Sequence, residues 1–230
     1  MILPKRKFNT IVIDPAWQIS MTGEVKRKEH RAEKLPYKTM TLEEIKQIPI
    51  KDIANVGCHV YCWTTNKMLK QTFDVLEAWG VNFHLVMPMV KPSGIAPCFG
   101  YVFASEFCLL GFYGKPMQKF KRAGKLNWIK CFNKAGSHSS KPEEFYELVK
   151  EMSPFPRIDI FARSKHQGFY PFGDESPEFV CPKCSNKLIE SDLEEYEWLC
   201  KSCDENFYNI EATEVKHEAM QSEARHSSQA

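Results

Sequence analysis

The stretch "NTIVIDPAWQ", Asn9 to Gln18, runs a block of β-branched apolar residues straight into an acid, a proline and a tryptophan. Ile11, Val12 and Ile13 show no apolar-polar alternation, the pattern of a strand buried on both faces. Four further runs read the same way: "CHVYCW" from Cys58, "FHLVMPMV" from Phe83, "FCLLGFY" from Phe107 and "RIDIF" from Arg157. Helical patterns lie between them. Thr41 with Glu44 makes a capping box ahead of Leu42, Ile45 and Ile48, and Leu69, Phe73, Leu76 and Trp79 form a stripe that stops at Gly80. Ser140 with Glu143 makes a second capping box, followed by Phe145, Leu148, Val149 and Met152 on one face. Strands alternating with helices predict an α/β sheet, mostly parallel, with helices on both faces. Ligands of such sheets bind beyond the carboxyl ends of the strands, so Asp14 and Trp17 fall at the ligand edge.

The 230 residues suffice for one substantial domain with a small appendage. No apolar run approaches the ~18–20 residues that cross a bilayer, and the basic N-terminal segment does not read as a signal peptide. These features predict a cytoplasmic protein without membrane contact. Cys58, Cys62, Cys98, Cys108 and Cys131 lie scattered among apolar neighbours, as reduced core thiols do. The formal net charge of +2 hides a division: residues 1–173 have a balance of +11 and residues 174–230 a balance of −9. The first part therefore suits a polyanionic partner. Residues 107–142 contain no acid, yet carry eight Lys or Arg, among them Lys119, Lys121, Arg122, Lys125 and Lys141. Phe112, Tyr113, Phe120, Trp128 and Phe132 are interleaved with them. That mixture fits backbone phosphates with stacked bases, and equally a solvated loop with ordinary core aromatics.

A carboxylate and a backbone carbonyl held side by side by a proline turn can accept the two hydrogens of a base amino group. They can also stabilise the positive charge that develops when its nitrogen is alkylated. Asp14 would supply the carboxylate, Pro15 the carbonyl, and Trp17 an aromatic face for an extruded base. A simple strand-ending turn with Trp17 in the core is the alternative.

Further blocks add to this: "YKTMTLEEIKQIPI", "CHVYCWTTNKMLKQTFDVLEAWGVNFH", "MVKPSG", "SEFCLLGFYGKP" and "HSSKPEEFYELVKEMSPFPRIDIFARSKHQGFYPFGDE". With "VIDPAW" they make most of residues 8–175 resemble the family named for the seventy-kilodalton subunit of mRNA adenosine methyltransferase. Its members methylate the exocyclic nitrogen of adenine with S-adenosylmethionine. The resemblance implies a Rossmann-like methyltransferase sheet with permuted motif order, the catalytic tetrapeptide near the N-terminus and much of the cofactor site near the domain's end. It implies Lys141 as the contact for the cofactor's carboxylate, and Arg163 and His166 near its ribose and methionine parts. Asp174 and Glu175 fall where an acid accepts the ribose hydroxyls. Three departures stand out: Ala16 replaces the family's second proline, Asp174 a frequent asparagine, and Ser105 precedes Glu106 where many members have histidine. Glu106 is therefore assigned only to the substrate pocket. Retention of Asp14 sets the chain apart from the family's non-catalytic branch.

Cys181-x-x-Cys184 and Cys200-x-x-Cys203, fifteen residues apart, have the spacing of a tetrahedral four-thiolate zinc site. Four ligands leave no open position, so the metal would be structural. The predicted organisation is a catalytic domain over residues 1–175, a zinc ribbon over 176–210 available to a protein partner, and a flexible polar tail over 211–230. The expected activity is S-adenosylmethionine-dependent adenine-N6 methylation of nucleic acid, DNA before RNA because the chain is compact. Cytosine-N4 methylation needs the same geometry, and a non-catalytic zinc-ribbon scaffold is the alternative from another class.

Overall fold

All five apolar runs become strands of one sheet. The structure, a computed structural model, describes residues 3–18, 39–91, 94, 96–98, 100–116, 124–131, 141–173, 178–191, 193, 196, 198–208 and 213–215. Two compact units divide the chain, Met1–Ser176 and Pro177–Ala230. The first contains β1 (Phe8–Ile13), α1 (Leu42–Lys46), α2 (Ile50–Ile53), β2 (Ala54–Thr64), α3 (Leu69–Ala78), β3 (Val81–Val90) and β4 (Ala96–Cys98). It continues with β5 (Tyr101–Phe103), β6 (Ser105–Tyr113), β7 (Ile129–Lys130), α4 (Glu143–Met152), β8 (Arg157–Ile160) and β9 (Tyr170–Phe172).

Seven of these strands form a mixed sheet in the order β7-β3-β6-β2-β1-β8-β9. β1 runs parallel to β2 and β8, β8 to β9, and β3 to β7, whereas β6 is antiparallel to both neighbours. The sheet is thus parallel apart from β6. That reversal has a chemical consequence: the first residues of β6, Ser105 and Glu106, lie at the edge where β1, β2, β3 and β8 end.

Alternation along the strands sorts side chains onto two faces. Tyr61 and Trp63 of β2 meet Phe145 of α4, with ring centroids 5.8 and 4.8 Å apart. Val12, Met87, Met89, Cys108, Leu110 and Phe112 join that cluster. Thr64, on the opposite face, lies 2.7 Å by its Oγ1 from Thr72 Oγ1 of α3. Helices therefore cover both faces, α4 on one and α3 on the other.

The Thr41–Glu44 capping box forms: Glu44 N donates to Thr41 Oγ1 at 3.2 Å and Thr41 N to Glu44 Oε2 at 2.7 Å. Helix α3 ends at its C-cap Trp79, and the chain leaves it through Gly80, whose φ of +70° costs a side-chain-bearing residue strain. It is rotated from the predicted stripe, burying Thr72, Val75 and Leu76 while Phe73 stays 39% exposed. Thr72 Oγ1 meets Thr64 Oγ1 of β2 and, at 2.8 Å, Met68 O of the preceding turn, so its hydroxyl is buried with its polar partners in place. The second predicted capping box is corrected. Pro142 is the N-cap of α4, so Glu143 is the first helical residue instead of the third, and Ser140 lies outside the described residues. The buried face of α4 is Phe145, Tyr146 and Val149, with Leu148 partly covered.

In the second unit, β10 (Glu178–Val180) pairs antiparallel with β14 (Thr213–Val215), and β11 (Ile189–Glu190), β12 (Trp198–Cys200) and β13 (Glu205–Phe207) form a three-stranded antiparallel sheet. Residues 213–215, assigned to the tail by composition, are therefore a paired strand; residues 216–230 lie outside the described part. Phe179, Leu188, Trp198 and Phe207 supply a small buried core.

Candidate active site

Five ionisable side chains meet at the carboxyl edge of the sheet, on the face that α4 covers. Asp14 follows β1 and shares the side of Val12, and Lys91 follows β3 and shares the side of Met89. Glu106 opens β6 opposite Met89, Asp159 sits in β8 opposite Val12, and Lys141 immediately precedes the N-cap of α4. Lys141 Nζ lies 2.8 Å from Asp14 Oδ2 and 3.2 Å from Glu106 Oε2, and Lys91 Nζ lies 2.7 Å from Glu106 Oε1. The charges alternate along this chain of contacts. The side chain of Lys141 is 8% exposed and its ammonium stands 4.9 Å over the Trp63 ring. Burial opposes its charge, but Asp14 and Glu106 reverse that and raise its pKa. For Glu106, burial favours the neutral acid, and Lys141 and Lys91 outweigh it and lower its pKa.

The cluster is tightly interdependent, because removing one partner of a buried pair strands a charge. Lys141→Met should cost roughly 3–5 kcal/mol of stability by that mechanism, read as a lower urea midpoint with unchanged slope. A loss within 1 kcal/mol would mean that the acids are solvated well enough to do without it.

A cleft beside Lys141 is lined by Asp14, Tyr146, Asp159, Phe161, Arg163 and His166. Tyr146 Oη donates to Asp159 Oδ2 at 2.8 Å. His166 stacks on the Tyr146 ring with centroids 3.4 Å apart, and its Nδ1 lies 2.8 Å from Glu143 Oε2. Burial lowers the His166 pKa despite Glu143. At the end of β8 the backbone turns through Phe161 at φ +66°, where its N–H donates to Phe172 O at 2.6 Å. Gly173 packs against this turn: a Cβ there would sit 2.9 Å from Phe161 Cα. Strain of this kind is characteristic of ligand-binding edges.

Burial pushes the Asp159 carboxyl up to about 7, although the Tyr146 hydrogen bond favours its charged form. With an unfolded value near 3.9, the folded chain binds more protons between about pH 4 and 7. Stability from this group therefore falls as pH rises through that window and levels off above it. Asp159→Asn should remove the slope, gaining on the wild type by up to about 4 kcal/mol between pH 4 and 8. Denaturant titrations at both pH values read this, and parallel curves would contradict it.

The tetrapeptide turn itself is braced. Trp17 N donates to Pro15 O at 2.8 Å, and Trp17 Nε1 donates to Trp63 O at 3.0 Å. The Trp17 ring is only 6% exposed. It ties the turn to the end of β2 instead of offering the open stacking face read from the sequence, because its indole N–H finds its acceptor in the sheet. Pro15 O keeps a second lone pair. Lys125, predicted on the nucleic-acid track, pairs with Glu151 at 2.7 Å. Lys119, Lys121, Arg122, Asp174 and Glu175 lie outside the described residues.

The structure thus brings together Asp14, Glu106, Lys141, Arg163 and His166. It adds Lys91, Tyr146 and Asp159, which sequence reasoning missed. Asp159 carried a signal, an acid in the middle of an apolar strand; Lys91 carried none, since its partner depends on the reversal of β6.

In the second unit the Sγ atoms of Cys181, Cys184, Cys200 and Cys203 all lie within 4.8 Å of one another. Cys181–Cys203 and Cys184–Cys200 are 3.8 and 3.5 Å apart. A tetrahedron with Zn–S of about 2.3 Å has edges near 3.8 Å. Lys183 N donates to Cys181 Sγ at 3.4 Å, as a thiolate would favour.

A family model described as MT-A70 matches residues 8–175. The chain is similar to the type II methyltransferase M.MunI of Mycoplasma sp, 23% identical over 190 residues that cover 76% of this chain and 81% of that protein. It is also similar to the N(6)-adenosine-methyltransferase subunit METTL3 of Danio rerio, 26% identical over 167 residues, 68% of this chain and 26% of that protein. The N(6)-adenosine-methyltransferase MT-A70-like protein of Drosophila melanogaster is 25% identical over 167 residues, 68% of this chain and 24% of that protein. The chain spans about a quarter of the length of these adenosine methyltransferases. No helix among the described residues is long and apolar enough to cross a membrane.

Proposed function

This chain belongs to the MT-A70 family, and from that premise we propose that it is an S-adenosylmethionine-dependent methyltransferase acting on the N6 amino group of adenine in nucleic acid. The observation that carries the reading is the placing of Asp14 at the end of β1 with Lys141 on its Oδ2 at 2.8 Å. Its Oδ1 is engaged by none of the described residues and, with Pro15 O, can accept the two amino hydrogens. A base amino nitrogen is conjugated to its ring and is a poor nucleophile. Holding both hydrogens aligns its lone pair, and the Asp14 charge stabilises the cation that forms as it is alkylated.

The residues present fit the cofactor. A cation with an 8% exposed side chain, Lys141, and a buried acid, Asp159, share one cleft, which is the pair of opposite charges a zwitterionic amino acid requires. Lys141 would hold the carboxylate, Asp159 the ammonium, and Arg163 and His166 would flank the ribose, with Asp174 and Glu175 as acceptors of its hydroxyls. When bound, the cofactor supplies an electrophilic methyl group. The permuted, Rossmann-like arrangement belongs to this reading too, since Asp14 leads from β1 while Asp159 and Arg163 lie near the domain's end.

DNA is the proposed polymer, because the chain spans four-fifths of M.MunI and about a quarter of the adenosine methyltransferases. Incubation with labelled cofactor and single- or double-stranded DNA or RNA, followed by nucleoside analysis, tests both statements. N6-methyladenine in DNA is expected. N4-methylcytosine alone, or no transfer to any of the four, would overturn the reading. For the second unit we infer a structural zinc held by Cys181, Cys184, Cys200 and Cys203, closed to substrate by its four thiolates.

A further inference from the structure

The hairpin of β4 and β5 leaves the sheet between β3 and β6, at the same edge as Asp14. We infer that its Tyr101 is a stacking arm for a nucleobase flanking the target adenine, an assignment that rests on the nucleic-acid reading above. The base of the hairpin is fixed on three sides. Lys91 N donates to Ala104 O at 2.7 Å, Lys91 Nζ pairs with Glu106 at 2.7 Å, and Asn66 Nδ2 donates to Ser105 O at 2.8 Å. Two of these residues, Lys91 and Glu106, belong to the charge cluster that reaches Asp14, so the arm and the reaction centre share one rigid mount.

The far end of the hairpin is different. Tyr101 is 82% exposed, more than any other large apolar residue described, and Val102 is 59% exposed. Adjacent residues of a strand point to opposite faces. The two faces of β5 are therefore both exposed at this point, one through Tyr101 and the other through Val102.

The substrate explains why an aromatic ring belongs there. On the nucleic-acid reading the target base is held at Asp14 and Pro15, so the nucleotides on either side of it must run over the sheet edge. The surrounding unit is strongly basic, with a balance of +11 over residues 1–173 and no acid from 107 to 142. That attracts the phosphates but does nothing for bases that have lost their neighbour when the target is drawn to Asp14. An exposed tyrosine on a hairpin rooted at that edge restores a stacking partner, and it does so for any base, because every base has a π-face. Tyr101 thus contributes affinity and strand placement, and leaves the choice of adenine to the groups at Asp14 and Pro15.

The test uses the full chain and labelled oligonucleotides, single- and double-stranded, read by fluorescence anisotropy beside methylation kinetics. Tyr101→Ala should weaken binding by about 5- to 150-fold, the range of one base-aromatic stack, and raise KM while kcat at saturation is kept. Tyr101→Phe and Tyr101→Trp should retain near wild-type affinity, and the indole introduced by Tyr101→Trp should be quenched by oligonucleotide but not by inorganic polyphosphate. Equal affinities for Tyr101→Ala and wild type would overturn the assignment. So would a change in sedimentation of Tyr101→Ala with unaltered oligonucleotide affinity, which would make the tip a protein interface. A wild-type chain that binds oligonucleotide through Tyr101 but transfers no methyl group would sink the catalytic reading alone; one that binds no nucleic acid would sink both.

Discussion

Asp14→Ala should lower methyl transfer by about 100- to 1000-fold or more, the usual effect of losing one group that orients a nucleophile and stabilises the developing charge. The loss should appear in single-turnover rates at saturating nucleic acid, because Asp14 acts on the reacting amino group and contributes little to the grip on the polymer. The fold should survive. Asp14 is 28% exposed, and Lys141 keeps Glu106 as a partner after the change. The stability cost should therefore stay near that of one charged hydrogen bond, about 1.5–3 kcal/mol. Asp14→Asn separates two contributions: it keeps an acceptor oxygen in place and removes the negative charge, so its rate should fall between those of wild type and Asp14→Ala. Turnover of Asp14→Ala within tenfold of wild type would remove the carboxylate from the mechanism.

Removal of metal should unfold the second unit while the first stays intact. Among the described residues, the unit's buried apolar side chains are Phe179, Leu188, Trp198 and Phe207 with Cys181 and Cys200. So small an apolar core rarely supplies enough free energy to offset chain entropy. Zinc coordination by four thiolates supplies about 10–16 kcal/mol of apparent binding energy in comparably small modules, which makes the metal the main term. Purified protein should contain close to one zinc per chain. A chelator, or Cys181→Ser combined with Cys200→Ser, should abolish hydrogen-exchange protection across residues 178–208 and leave β1, β2 and β8 protected. A chain ending at Ser176 should still bind S-adenosylmethionine, since the sheet and its helices lie before that point. A native protein free of zinc whose residues 178–208 nevertheless stay protected would disprove the metal site, and failure of the truncated chain to fold would disprove the independence of the first unit.

Features that depend on neighbours along the chain could be read from the residues alone. The five apolar runs are strands because β-branched and aromatic side chains prefer the extended backbone over short distances. The Thr41–Glu44 box forms because its partners lie three residues apart, and the cysteine quartet is legible because two local knuckles and their spacing specify it. Asp14 at a strand end is likewise a local fact. The second capping box failed for a tertiary reason: Glu143 pairs with His166, twenty-three residues away, and helix α4 starts at Glu143, behind its N-cap Pro142. The burial of Thr72 in α3 is matched by a hydroxyl on β2, and that of Trp17 by a carbonyl at the end of the same strand.

The direction of β6 decided most about the site. An apolar run has the same period whichever way it is laid into a sheet, so nothing in "FCLLGFY" distinguishes parallel from antiparallel pairing. Only the ladder with β2 and β3 places Glu106 at the edge where Lys91 and Lys141 can reach it. Sequence by itself therefore determined which elements form and which acid ends β1. Tertiary structure decided which charges meet there, because ion pairs between residues dozens of positions apart exist only once the strands that hold them have chosen their order and sense.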